Sequence, residues 1–264
     1  GDCVVVALPG SILPGNFAIS ARETYGKTSN GMICSARELG LGEDHSGIMT
    51  FAPSTVEVGA DAIAKLQIED VIFDIAVNPD RGYALSIRGV AREIAAALNL
   101  EFKDPANLEF NLAGSGKAIQ AKISDGADVM FLRTLEGFDP NSTTPIWMSR
   151  RIEKCGMRSI SLAVDVTNYV MIELGQPLHA FDASVIKDQH VIVNKYPAGT
   201  SFVCLDGTER KLTASDLMIS DAEKPMCIAG VFGGLNSGVK DATTSIFLES
   251  AWFNNVSIRK TSVH

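Results

Sequence analysis

The chain has 264 residues, 46% of them hydrophobic and 20% charged, enough for one to three globular domains with at least one full core. Its longest apolar runs, near residues 3–9 and 94–98, fall far short of the roughly 20 residues a membrane-spanning helix needs, and no charged-then-apolar leader opens it, so a cytoplasmic chain with no membrane partner is expected. Twenty-three Lys and Arg against 31 Asp and Glu give a net charge of -8, the wrong sign for a surface that grips nucleic acid all over; any RNA contact must be local or shared with other chains.

The five cysteines, Cys3, Cys34, Cys155, Cys204 and Cys227, are odd in number, scattered and free of any CxxC pair. That argues against a disulfide framework or a zinc site and fits a reducing compartment. Neither end reads as a natural terminus, since a strand is already under way at residues 3–7 and a helix is just opening at 254–264; an excised fragment is expected.

Three segments follow one another. In residues 1–48 an apolar strand runs into LPG turns at 8–10 and 13–15, then a second strand, then SNGMICSARELGLGEDHSGI from Ser29. Ser35 and Glu38 stand at capping-box spacing there and predict a short helix. In residues 49–116, Val71, Phe73, Ile75 and Val77 alternate as a strand that ends at an NPDRG turn. Leu85, Arg88, Ala91, Ile94, Ala95 and Leu98 then recur at helical spacing, with Asn99 as the stop, and residues 101–116 read as a linker.

The third segment, 117–264, begins with strands near 119–123 and 129–135 and a helix opening at WMSRRI, 147–152. Residues 160–174 could be strand or helix. Apolar positions at 160, 163, 164, 167, 170, 171 and 174, followed by Gly175 and Pro177, match a helix with a glycine cap and a proline stop better than they match alternation. Asp165, Thr167 and Asn168 then lie near one another on it, and His179 follows just beyond its end. Short strands near 191–193, 202–205, 211–213, 217–220, 227–229 and 245–249 complete an α+β pattern.

No GxSxG elbow, HExxH, GxxxxGK or strand-to-helix GxGxxG is present, so covalent and metal-assisted mechanisms lose support. The Gly230-Val231-Phe232-Gly233-Gly234 loop after a buried strand would let a ligand approach the backbone, or it is simply a tight turn. His179, between Leu178 and Ala180, is either a hydrogen-bonded core histidine or a site residue. Glu249 interrupts the apolar run IFLESAWF; pointing inward without a partner it would be expensive to bury, and pointing outward it would mean nothing. Thr167 and Asn168 are, by residue type, caps or surface groups.

TNYVMIELGQPLHAFD, residues 167–182, and IAGVFGGLNSGVKDATTSIFLESA, residues 228–251, resemble the editing module of bacterial phenylalanyl-tRNA synthetase beta subunits. The resemblance runs the length of the chain in domain order. ALPGSILPG with SNGMICSARELGL is similar to the closing part of that family's OB-fold tRNA-binding domain, over 1–48. Residues 49–116 are similar to a small α/β scaffold domain and linker, in which NPDRGYALSIRGVAREIAAAL departs from the family's usual order at Asp80, Gly82 and Tyr83. Residues 117–264 resemble the larger α+β editing domain, cut short at its C-terminal end.

The resemblance implies a multi-domain α+β fragment that hydrolyses tyrosine misattached to tRNA(Phe), inside an enzyme that charges tRNA(Phe) with phenylalanine using ATP and Mg2+. It implies Glu249 as the reader of the tyrosine hydroxyl, His179 with Thr167 and Asn168 as the lining of the hydrolytic site, and Gly230 and Gly233 as its backbone wall. It further implies tRNA(Phe) and an alpha subunit as partners, in an alpha2beta2 assembly, with no cofactor or metal held by this fragment itself. Two rival readings remain. A noncatalytic scaffold bracing the alpha subunit predicts that Glu249 faces solvent and that no pocket joins it to His179; a tRNA- or peptide-binding module predicts a basic face, which the net charge disfavours.

Overall fold

A computed structural model describes residues 1–41, 47–51, 53–54, 56–110, 114, 119–124 and 126–263. The chain divides into two compact units, Gly1–Asp74 and Ile75–His264. In the first, β1 (Cys3–Val4), β2 (Val6–Ala7), β3 (Ile12–Leu13), β4 (Phe17–Ala18), β5 (Arg22–Thr24), β6 (Lys27–Ser29), β7 (Met32–Ile33) and β8 (Thr50–Phe51) form antiparallel pairs: β1 with β8, β2 with β7, β3 with β4 and β5 with β6. A short helix, α1 (Ala62–Lys65), follows, capped by the Asp61 carboxylate on the Ile63 N–H.

The capping box forms, but the predicted helix does not. The Ser35 N–H donates to Glu38 Oε2 at 2.7 Å and the Glu38 N–H donates to Ser35 Oγ at 3.3 Å. The chain then makes only a turn over residues 36–40, because Gly40 takes the left-handed region at φ 69° and ends it after one cycle. The strand expected over 71–77 is also missing: residues 71–78 have no regular structure, and Val71 and Phe73 are exposed. Alternation marks a candidate strand, but the strand exists only if a neighbour takes up its N–H and C=O groups.

In the second unit the helix predicted around residues 85–98 is α2 (Ile87–Leu98). Ser86 Oγ accepts from the Gly89 N–H at 3.1 Å to start it, and Asn99 ends it in the left-handed region, as expected. Arg88 clamps the following segment through a two-pronged ion pair with Asp104. The parts of the expected linker at 111–113 and 115–116 lie outside the described residues.

Residues 117–264 build layers. β9 (Gln120–Ile123) and β10 (Ala127–Glu136) lead to α3 (Ile146–Lys154) and α4 (Leu162–Leu174), the latter closed by left-handed Gly175 ahead of Pro177. Then come β11 (His179–Asp182), β12 (His190–Lys195), β13 (Ser201–Val203), β14 (Glu209–Lys211), β15 (Leu217–Ser220), β16 (Pro225–Ile228), β17 (Phe232–Gly233), β18 (Ser245–Phe253) and α5 (Asn255–Thr261). Three strands form an antiparallel sheet in the order β10-β18-β11, and five form a mixed sheet in the order β17-β16-β15-β12-β9. The class is α+β, as read from the sequence.

The main core lies between the two sheets, where Phe181 and Phe247 of the first meet Val191, Val193, Leu217, Ile219, Met226 and Cys227 of the second. On the far side of the three-stranded sheet, α4 lays Ala163 against Ala180 and Ile246. On the far side of the five-stranded sheet, Phe202 of the β13–β14 hairpin, with Cys204 and Leu212 beside it, covers Met218 and Ile228. β18 is therefore buried on both faces, which is why its sequence reads as a near-continuous apolar run.

Asp165, wholly buried, ties α4 to what precedes it: its carboxylate accepts from the hydroxyls of Thr144 and Ser159, both at 2.5 Å, and from the Ile160 N–H at 2.8 Å. Asp165→Ala strands three donors in a dry site and should lower stability by about 2–4 kcal/mol. Urea unfolding of the chain measures it; a variant within about 0.5 kcal/mol of wild type would show that water replaces the carboxylate.

Candidate functional site

β11 and β18 run antiparallel with His179 opposite Glu249, Ala180 opposite Leu248 and Phe181 opposite Phe247. Side chains alternate across a strand, so Ala180 and Leu248 face α4, while His179, Glu249, Phe181 and Phe247 face the space between the sheets. The imidazole packs edge-on to Phe181, ring centroids 4.5 Å apart. The two phenylalanines fill the centre of the sandwich, and His179 and Glu249 occupy its end.

Gly233 of β17 forms the opposite wall. A Cβ there would lie 2.7 Å from His179 Cε1, 3.0 Å from His179 Nε2 and 2.7 Å from Leu205 Cδ1. Glycine is needed at this position for space, since any side chain would displace the imidazole.

Neither ionisable group has a partner. His179 Nε2 is buried without a hydrogen bond, and among the described residues the carboxyl of Glu249, in a residue only 6% exposed, has none either. Burial lowers the imidazole from 6.5 to about 4 and raises the carboxyl from 4.5 to about 7. The histidine is neutral at physiological pH, and burial favours the protonated form of the glutamate far more than it would be favoured in water. The Cys227 thiol is pushed up strongly, first by burial and then by the nearby Glu249 carboxyl, and stays a neutral apolar neighbour. No hydroxyl or thiol among the described residues hydrogen-bonds His179, so no nucleophile and base pair is present.

The six residues singled out from the sequence divide accordingly. His179, Glu249 and Gly233 come together. Gly230 stands at the exposed tip of the β16–β17 turn with φ 64°, where a Cβ would meet Ile258 of α5 and Phe253 at 3.4 Å. Thr167 and Asn168 ride on α4, the helix that covers the other face of the three-stranded sheet. The Thr167 hydroxyl donates to the Val164 carbonyl at 2.7 Å; the half-buried Asn168 side chain has no hydrogen-bond partner among the described residues. Leu205, Phe181 and Cys227 were missed as neighbours of the site. Nothing in their local sequence marks them, because they arrive from three different strands and loops.

A family model described as the B3/4 domain matches residues 126–264, more than half of the chain and every strand of the sandwich except β9. The chain belongs to the B3/4 domain family. The phenylalanine--tRNA ligase beta subunit of Streptomyces avermitilis is 51% identical over 267 residues, covering 99% of this chain and 32% of that protein. The phenylalanine--tRNA ligase beta subunit of Thermobifida fusca is 50% identical over 264 residues, with the same shares. The resemblance to the synthetase beta subunit read from the two motifs is thereby borne out, and the chain spans about a third of the length of the curated relatives it matches. An N-terminal fragment of the phenylalanyl-tRNA synthetase beta-subunit from Pyrococcus horikoshii aligns at 14% identity and a TM-score of 0.40 over 69% of this chain and 57% of that one, a likeness that adds nothing to these relatives.

In the B3/4 sandwich the two buried groups make opposite contributions to the pH dependence of stability. Glu249, raised from 4.5 to about 7, contributes stability that is complete below pH 4.5 and is lost as pH rises through 7. His179, lowered from 6.5 to about 4, contributes stability that is complete above pH 6.5 and is lost as pH falls through 4. Glu249→Gln removes the first effect alone, so relative to wild type it should gain up to about 3 kcal/mol between pH 4.5 and 8. Unfolding midpoints measured across that range test this; a difference that stays flat with pH would mean that the Glu249 carboxylate is solvated in the folded chain.

Proposed function

We propose that this chain is the editing portion of a phenylalanine--tRNA ligase beta subunit, which hydrolyses tyrosine misattached to tRNA(Phe). The observation that carries the reading is the inward-facing pair at the end of an otherwise apolar sandwich: His179, whose Nε2 is buried without a hydrogen bond, opposite Glu249, 6% exposed and without a hydrogen-bond partner among the described residues. A noncatalytic brace calls for a solvated Glu249, and a core histidine of purely structural use calls for a satisfied ring nitrogen.

The physical need for such a site is a second sieve. An apolar pocket shaped for phenylalanine rejects the same ring bearing a hydroxyl by only about 10², whereas a site that must hydrogen-bond the hydroxyl can discriminate in the other direction by about 10⁴ or more. Glu249 is that reader: its carboxylate form accepts from the phenol, and with phenylalanine it stays buried and unpaired. His179, neutral and weakly basic, orients the attacking water or the terminal ribose rather than stripping a proton from either. Attack of that water on the ester carbonyl releases tyrosine and the tRNA 3′ hydroxyl. Gly233 leaves the imidazole its space, and with Gly230 it forms the backbone wall along which the aminoacyl group lies.

In this reading residues 1–48 close an OB-fold tRNA-binding domain, 49–116 form a small scaffold and linker, and 117–264 are the editing domain. The complete cytoplasmic enzyme adds an alpha subunit in an alpha2beta2 assembly and uses ATP and Mg2+ for charging. Among the described residues no group of three or more His, Cys, Asp or Glu could hold a metal ion.

In the complete enzyme, His179→Ala should slow deacylation of Tyr-tRNA(Phe) by roughly 10² or more, with aminoacylation hardly changed. Deacylation at the wild-type rate in a folded variant would return His179 to a packing role. For Glu249→Ala, single-turnover kinetics should show the preference for Tyr-tRNA(Phe) over Phe-tRNA(Phe) falling by about 1.5–3 kcal/mol, with Glu249→Gln between that variant and wild type. An unaltered preference would mean that the hydroxyl is read elsewhere.

A further inference from the structure

Away from the sandwich, α3 and α4 place two aromatic rings and a guanidinium together at the surface. Trp147 and Tyr169 meet edge to face, ring centroids 5.3 Å apart. Arg151, one turn after Trp147, donates to the Tyr169 hydroxyl at 3.2 Å and holds its guanidinium 6.0 Å from that ring's centroid. The tryptophan remains 47% exposed, a large aromatic surface left uncovered although its edge contact is already made.

The charge around this patch is opposite in sign to the chain as a whole. Arg151 is exposed beside the rings, whereas the neighbouring acid Glu153 is held by Arg150. Glu173, one turn beyond Tyr169, lines the groove beside α2 that also contains Arg88. In a chain of net charge -8 this is the local cationic surface that the sequence required of any RNA contact. Exposed rings to stack bases, beside guanidinium groups for phosphates, are the two elements by which proteins hold single strands without reading their sequence.

We infer that Trp147, Tyr169 and Arg151 form a stacking platform for the single-stranded 3′ end of an RNA, engaging the nucleotides that precede the terminal one. The inference rests on the editing reading for the identity of that RNA. Tyr169 stands on α4 five residues before its end at Leu174, and the short segment 175–178 then leads directly into His179, so the strand-holding surface and the hydrolytic site are close along the chain.

In the complete synthetase, Trp147→Ala should raise the KM for deacylation of Tyr-tRNA(Phe) by about 5- to 100-fold, the loss of one stacked base, with kcat little changed. Trp147→Phe keeps a ring and should recover most of it, and Arg151→Gln should flatten the salt dependence of KM. Hydrolysis of a tyrosyl ester of adenosine, which has no strand to hold, should be the same in Trp147→Ala as in wild type. An unchanged KM overturns the platform, and so does equal loss on both substrates. Weakened assembly with the alpha subunit in sedimentation overturns it in favour of a protein partner.

Binding is read separately with uncharged tRNA(Phe) bearing a photoreactive base next to its terminal adenosine. A crosslink to α3 or α4 that Trp147→Ala removes is the expected result, and no crosslink there contradicts the platform. The crosslink in an enzyme that hydrolyses no Tyr-tRNA(Phe) would sink the editing reading and leave the platform standing.

Discussion

The central strand β18 is covered on both faces over Ile246–Glu249, and that forces a choice on each residue there. Glu249 is directed into the dry space between the sheets, directly across from His179 on the neighbouring strand. Burying a carboxyl and an imidazole without partners is unfavourable, and the rest of the sandwich has to hold them there. It does so with Phe181 and Phe247 packed beneath them and with Gly233, where even a methyl group would collide with the imidazole. The consequence is a buried His179 Nε2 without a hydrogen bond beside a carboxyl that no described residue engages, two groups that a ligand can satisfy.

The contrast with the other buried acids makes the case sharper. Asp165 accepts from two hydroxyls and an N–H. Asp182 accepts from the Ser184 N–H, the Ser184 hydroxyl and the Thr243 hydroxyl, and Asp221 from the N–H groups of Lys187, Glu223 and Lys224. Asp216 joins the Thr213 N–H to the Thr261 hydroxyl of α5. Each fastens a loop or a helix end and is fully used in doing so. Glu249 is buried to a similar degree and fastens nothing among the described residues, and this contrast supports the proposal that it is kept for a ligand.

Local chemistry made the helices legible in the sequence: Ser86 and Asn99 bound α2, and Gly175 with Pro177 ends α4, because caps and stops act within one turn of the chain. The strands of the sandwich were legible for the same reason, as short apolar runs between turn residues. Features that depend on distant partners were not. Residues 71–78 have the alternation of a strand and no neighbour to pair with; β11 has a neighbour and no alternation, since Ala180, Phe181 and Asp182 are all buried. At the site, His179 and Glu249 could be named from motif resemblance, but their register across two strands, 70 positions apart in the chain, could not be seen in either motif. Thr167 and Asn168, in the same motif as the histidine, lie on the helix covering the opposite sheet face, because α4 packs on the side of β11 that Ala180 faces and His179 points the other way.

The most direct test of a site kept open for a tyrosyl ester is a crystal structure of the complete synthetase with a nonhydrolysable amide analogue of tyrosyl-adenosine. The phenol oxygen is expected within about 2.5–3.0 Å of a Glu249 carboxylate oxygen, with His179 Nε2 hydrogen-bonded to the ribose or to a water facing the carbonyl. An analogue bound elsewhere, with Glu249 and His179 as unpartnered as before, would contradict the account.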